Sequence, residues 1–172
     1  MTALITSYGP FGVFLLMVPE SACIPIPSEV TLLSSGLAVS QHWMSLPLAI
    51  LAATAGNLVG SLIAYALGTT RLLSSAPGVR RSAALLDRHG RKAIFIARLL
   101  PLARTFVSLP AGARRTPLLP FIVLTTLGSA IWALAFVLLG MLTGTASGSL
   151  LGKVTLAVGA AVLVVAFSRR RT

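Results

Sequence analysis

The sequence predicts an all-α integral membrane protein. Its plan is two opposed re-entrant helical hairpins plus about three transmembrane helices, related as an inverted repeat. Three observations carry this. First, the 172 residues are 56% hydrophobic and only 10% charged, with a mean hydropathy of +0.94. An ordinary globular domain is about a quarter charged, and so little polar sequence cannot cover a soluble core. Second, the basic residues cluster beside apolar segments, and none precedes Arg71. Third, prolines and ionisable residues interrupt two apolar segments, one in each half of the chain. A single domain, 1–172, holds all of this.

The first apolar segment, 9–39, is too long for one simple span of about 20 residues. Pro25 and Pro27 break it near its middle, which makes it a hairpin; a kinked single span is the alternative. Residues 46–67 span. The stretch 71–92 is a basic loop with six Lys/Arg and one Asp, and such loops stay cytoplasmic. Counting back, His42–Trp43 lies outside, so the first hairpin enters from outside. Segment 93–113 has the length to span, but both its flanks are basic and belong inside. It therefore reads as a second hairpin, entered from inside, with breaks at Pro101 and Pro110 and an end at Gly112. A kinked span here would carry Arg114 and Arg115 outside. Segments 118–142 and 150–167 then span, and Arg169, Arg170 and Arg171 hold the C-terminus in the cytoplasm. Irregular backbone at membrane depth has to rest on protein or line a water-filled cavity.

The two halves echo each other. Gly56 and Gly68 are twelve residues apart, as are Gly128 and Gly140, and each pair follows a proline-broken, charge-bearing segment that ends near a glycine (Gly36, Gly112). A hairpin plus a span, repeated in opposite orientation, is the plan of many secondary transporters. Gly56–Gly60 and the series Gly140, Gly144, Gly148 and Gly152 have the small-xxx-small spacing of close helix contacts, within the chain or in a homo-oligomer.

Glu20, Glu29, Arg98 and Arg104 fall at membrane depth on this path. The chain has only three acidic residues in all, the third being Asp87. Each intramembrane charge costs roughly 2.5–3.5 kcal/mol at a helix centre, so four left facing lipid would cost as much as a whole domain's stability. They have to face each other, water or a charged substrate. On straight helices Glu20 and Glu29, nine apart, point opposite ways, and Arg98 and Arg104, six apart, diverge. The proline breaks let both pairs turn toward one point. Arginine's planar fork suits phosphate, broken half-helices aim N–H groups at an anion, and a carboxylate taken out of water can carry a proton. Arg98 and Arg104 are thus the expected phosphate-binding pair, with Glu20 and Glu29 as ion-pair or proton-coupling partners. A purely structural ion pair is the alternative.

Other residues narrow the function. The net charge of +11 sits beside apolar segments and fits anionic headgroups rather than nucleic acid. Cys23 is the sole cysteine, so no internal disulfide forms, and with no basic residue before it neither a signal peptide nor a lipoprotein site is expected. His42 and His89 fall on opposite sides, so no metal, cofactor or shared catalytic site is expected.

The stretches "ESACIPIPSE", "GNLVGSLIAYALG" with Tyr65, "RHGRKAIFIARLLPLARTFVSLPAG" and "FIVLTTLGSAIWALAFVLLG" resemble the DedA family of bacterial membrane proteins, also described as SNARE-associated or VTT-domain proteins. The third is similar to the family's most specific motif. The resemblance covers roughly residues 9–144. It implies two opposed re-entrant hairpins in the bacterial cytoplasmic membrane and a non-enzymatic lipid-translocating role that depends on the proton gradient. The short "IPIPSE" form resembles the subgroup linked to undecaprenyl phosphate; flipping of phosphatidylethanolamine or phospholipids generally is the alternative. The sequence departs from the family at "GTTRLLSSAPGV", where members carry a longer glycine-rich basic stretch. An intramembrane lipid phosphatase would need a positioned nucleophile or a histidine acid–base beside the arginines, and none is evident.

Overall fold

The computed structural model describes residues 2–24, 28–70, 92–98 and 103–145, which are helical with short turns and no strand. The basic loop, the 150–167 segment, Pro25, Pro27 and Pro101 lie outside the described residues. The helices are α1 (Thr2–Ser21), α2 (Ser28–Ser40), α3 (Leu46–Gly68), α4 (Lys92–Arg98), α5 (Ala103–Phe106), α6 (Ser108–Ala113) and α7 (Leu118–Thr145).

Local chemistry explains most boundaries. The α1 helix begins at Thr2, earlier than the expected start at residue 9. Gly9 instead takes a left-handed φ of 54° and kinks the helix. Pro10 follows directly, in the first turn after the kink, where its missing N–H costs nothing. At the start of α3, Ser45 is extended (φ −83°, ψ 148°) and Pro47 sits in the first turn. Three helix ends close in the same way, each on a non-glycine residue with positive φ: Cys23 after α1 (73°), His42 after α2 (61°) and Arg115 after α6 (49°). The bonds Ile24 N–H to Pro19 O, Trp43 N–H to Ala38 O and Thr116 N–H to Ala111 O wrap these ends, as in the Schellman closure.

Pro110 lies in the first turn of α6, where proline is compatible with a helix. It has no N–H to offer the Phe106 carbonyl, and the boundary between α5 and α6 falls at Val107. Gly112 is also helical and serves a helix contact.

Packing is cross-connected. The α3 and α7 helices lie on each other. The α3 helix also receives α1 and α6, while α7 also receives α2 and α4. Each of α3 and α7 thus holds one helix from its own half of the chain and one from the other. The glycines permit this. A Cβ at Gly36 would lie 2.7 Å from the Gly140 Cα, and one at Gly112 would lie 2.9 Å from the Tyr65 carbonyl carbon. Gly68 and Gly140 face the same contacts from the opposite side, against Leu109 and Leu33. Gly56 admits Met17 of α1, and Gly128 admits the Arg98 side-chain stem of α4. Gly144 meets Ser40 and Leu37, so the Gly140–Gly144 pair is spent on an internal contact.

One core unites Val13, Met17, Leu32, Val39, Ala133 and Val137. A smaller one joins Tyr65, Ile94, Ala111 and Phe121. The outer surface is apolar too: Leu119 is 73% exposed and Leu51 and Leu142 are each 66%. The helices Leu46–Gly68 and Leu118–Gly144 are long and apolar enough to cross a membrane. Lipid covers such a surface at no cost, whereas water does not.

Substituting Gly140→Leu or Gly68→Leu drives a side chain into facing backbone. We expect each to destabilise the fold by about 1–3 kcal/mol or more, read as an earlier thermal unfolding transition in detergent. Leu142→Ala, on the outer surface, should leave the transition in place.

Candidate functional site

Between the two cores, three helix ends bring charges together. Glu20 stands at the end of α1, Arg98 closes α4 and Arg104 lies on α5. Glu20 is 3% exposed, and each arginine 2%. Arg104 Nη2 donates to Glu20 Oε2 at 3.2 Å. Thr105 Oγ1 donates to Glu20 Oε1 at 3.4 Å. The Ser21 hydroxyl lies within reach of both Glu20 Oε2, at 3.1 Å, and Asn57 Oδ1 on α3. Gly60 makes this approach possible, since it faces Val18 and Ser21 without a side chain.

Arg98 is held differently. It donates to Arg104 O at 3.2 Å, Ser108 Oγ at 2.7 Å and Thr125 Oγ1 at 3.2 Å, all of them neutral oxygens. Its guanidinium stands 5.8 Å from the Phe121 ring centroid, and that of Arg104 stands 5.2 Å from Trp132. Both are cation–π distances. Arg98 Nε and Arg104 Nη1 are buried with no hydrogen-bond partner among the described residues. Among the described residues, two buried cations therefore face one buried anion, which leaves an excess of one positive charge. Such a charge in a low dielectric is costly without a counter-ion.

Glu29 does not join the cluster. It is half-buried in the first turn of α2, with no ion pair among the described residues. The helix N-terminus offers its carboxylate a favourable partial charge there. Of the glycine and tyrosine contacts, Tyr65 does more than pack. Its hydroxyl donates to Thr116 O at 2.7 Å and its ring lies 5.0 Å from Phe121, tying the α6–α7 turn to α3. His42 is exposed in the turn after α2, and among the described residues no group of three His, Cys, Asp or Glu is placed to hold a metal.

Nothing in the sequence singles out Ser21, Asn57, Thr105, Ser108, Phe121, Thr125 or Trp132 by residue type alone. The available signal was helical spacing. Thr125, Ser129 and Trp132 share one face of α7, in register with the glycines that admit the neighbouring helices.

The profile described as VTT domain matches residues 26–142. A Lactococcus lactis protein named "Alkaline phosphatase-like protein" is 34% identical over 80% of this chain and 72% of its own length. Two proteins named "Undecaprenyl phosphate transporter A" are similar as well. The one from Bacillus subtilis is 30% identical over 82% of this chain and 75% of its own length. The one from Staphylococcus aureus is 27% identical over 88% and 82%. No solved structure matches the chain.

Removing one member of a buried pair costs more than removing both. Glu20→Gln should destabilise the protein by about 3–5 kcal/mol, because it leaves two buried cations uncompensated. The double variant Glu20→Gln/Arg104→Gln should lose less than the two single variants added together. Thermal unfolding of the three purified variants measures the difference.

Proposed function

The chain belongs to the VTT-domain family, also called the DedA family, and on that premise we propose that it carries a phosphate-bearing membrane lipid, undecaprenyl phosphate, across the bacterial cytoplasmic membrane. One observation carries this reading. The site holds two buried guanidiniums against one carboxylate, with N–H donors left over. A phosphate monoester supplies the missing negative charge and the acceptor oxygens, and the arginine fork suits it. The printed names of the B. subtilis and S. aureus relatives support this choice of lipid.

The proposed architecture has two hairpins entering from opposite faces, the first through α1 and α2 and the second through α4, α5 and α6. Their tips meet at mid-membrane, and the C-terminus is cytoplasmic. Gly36 meets Val137 and Gly140 meets Leu33, while Gly112 meets Tyr65 and Gly68 meets Leu109; these contacts support an inverted repeat, because matching positions of the two halves make matching contacts.

The proposed cycle follows from charge. In the empty site Glu20 neutralises Arg104. An arriving phosphate takes both arginines and displaces Glu20, which then binds a proton. A proton therefore travels with the anionic lipid. Glu29, at the entrance of α2, is the second candidate for proton exchange. Two other readings have a foothold. Phosphatidylethanolamine would place its ammonium against a glutamate, and Glu29 has a carboxylate to offer. The name of the L. lactis relative suggests phosphatase chemistry, and Ser108 stands beside Arg98.

Arg98→Ala and Arg104→Ala should abolish transport and lose bound undecaprenyl phosphate, and Arg→Lys should impair both. Glu20→Gln and Glu29→Gln should retain the lipid yet weaken proton coupling. Native mass spectrometry of purified variants reads lipid retention. Phosphatidylethanolamine retained by the wild type and lost in the Gln variants would favour the ethanolamine reading. Inorganic phosphate released from the lipid would favour the enzyme.

The topology is testable with Cys23 removed and single cysteines introduced. Thiol reagents added outside intact cells should label positions 42 and 149 but not 80 and 115. Labelling at 115 would mean that the second segment spans.

A further inference from the structure

We propose that the seam between α3 and α7 is a water-filled proton relay leading to the Glu20–Arg104 pair. The register of the two helices comes from their ends. Tyr65 meets Phe121 at one end. At the other, Ala49 and Ala53 share a core with Ala133 and Val137. The helices therefore run antiparallel, which sets Thr54 level with Trp132, Asn57 with Ser129 and Ser61 with Thr125. On α3 the residues at 54, 57 and 61 share one helical face, and on α7 so do 125, 129 and 132.

Among the described residues, every level of this seam holds a buried polar atom without a partner: Thr54 Oγ1 and Trp132 Nε1, then Ser129 Oγ, then Ser61 Oγ. Leaving so many unmet would consume a large part of a domain's stability. Helical hydroxyls commonly escape by bonding a carbonyl of their own helix. Ser35 does so to Thr31 O, Ser40 to Leu37 O and Thr143 to Gly140 O. The seam hydroxyls do not, and the indole N–H has no such option. Ordered water, with two to four hydrogen bonds each, is the ligand that satisfies groups of this kind.

The seam is linked to the charges at both ends. Arg104 stands over Trp132 with Nη1 unpartnered, and Arg98 donates to Thr125 Oγ1. In between, the Ser21 hydroxyl bridges Asn57 and Glu20. A water at the Asn57–Ser129 level gives a proton to Ser21 Oγ as Ser21 passes its own to Glu20 Oε2. In each hop one O–H bond forms and another breaks, so an excess proton on the seam water appears on Glu20. The two guanidiniums oppose an excess proton while the site is empty. A bound anion cancels them, so the relay delivers its proton with the anion in place. This gating rests on the phosphate reading; the water in the seam does not.

The two parts are measured separately. In a Cys23→Ala background, Thr54→Cys, Ser61→Cys and Ser129→Cys should be blocked by Ag⁺, a thiophilic ion small enough to follow water. Ala53→Cys and Ala133→Cys, equally buried but in the apolar core, should not be. Equal reaction at seam and core positions would overturn the seam. In vesicles carrying a pH dye, proton uptake by the wild type should appear on adding undecaprenyl phosphate. Thr54→Val/Ser129→Ala should lower it by about tenfold or more with lipid retention unchanged. Undiminished uptake in that variant would overturn the relay. Seam cysteines that react in a wild type showing no lipid-dependent uptake would overturn the anion gating and the lipid assignment, and leave the seam standing.

Discussion

A guanidinium out of water has to be satisfied where it stands, and two of them stand within one small volume of this protein. The rest of the structure is arranged around that demand. Arg98 takes three neutral oxygens from three separate stretches of chain, at Arg104, Ser108 and Thr125. Arg104 takes the one carboxylate that α1 delivers. Continuous helices would point these groups in different directions. Broken helices, ending where the charges lie, let four segments contribute to one point. The interruptions thus belong to the charge arrangement.

Close backbone approach is the second requirement. Short helices contribute little stability of their own, so α4 depends on contact with α7, α6 on contact with α3, and α5 on α1, α4 and α6. Between helices in a membrane, the drive that water gives to apolar association is missing, and small residues that let backbones meet take its place. The glycines on α3 and α7 do this at each contact, and reciprocally on the facing helices. Gly128 joins both requirements, because the side-chain stem it admits is that of Arg98.

Much of this was legible before any coordinates. The long apolar runs foretold α3 and α7 to within a few residues, since length and composition decide a spanning helix. The scarcity of acids singled out Glu20, because a rare carboxylate in apolar surroundings demands a partner. Proline was a partial guide. Pro110 marks a boundary by residue type, and α5 gives way to α6 just before it, but that the helix resumes at once, with Pro110 in its first turn, depends on the local packing. Gly9 likewise sets a kink rather than an end. Glu29 illustrates a further limit, for equal composition does not imply equal surroundings. The hydroxyl-bearing faces of α3 and α7 escaped notice because serine and threonine are commonplace in membrane helices, and their meaning depends on what lies opposite.

The shortest element has a mechanical consequence. The α5 helix is a single turn, with Arg104 on it and an interruption at Val107 on its C-terminal side. One turn has almost no cooperativity of its own, so the place of Arg104 is set by its neighbours: α1 and α4 on one side and α6 on the other. A charge carried on so short a helix takes its position from the partners it binds, Glu20 above all.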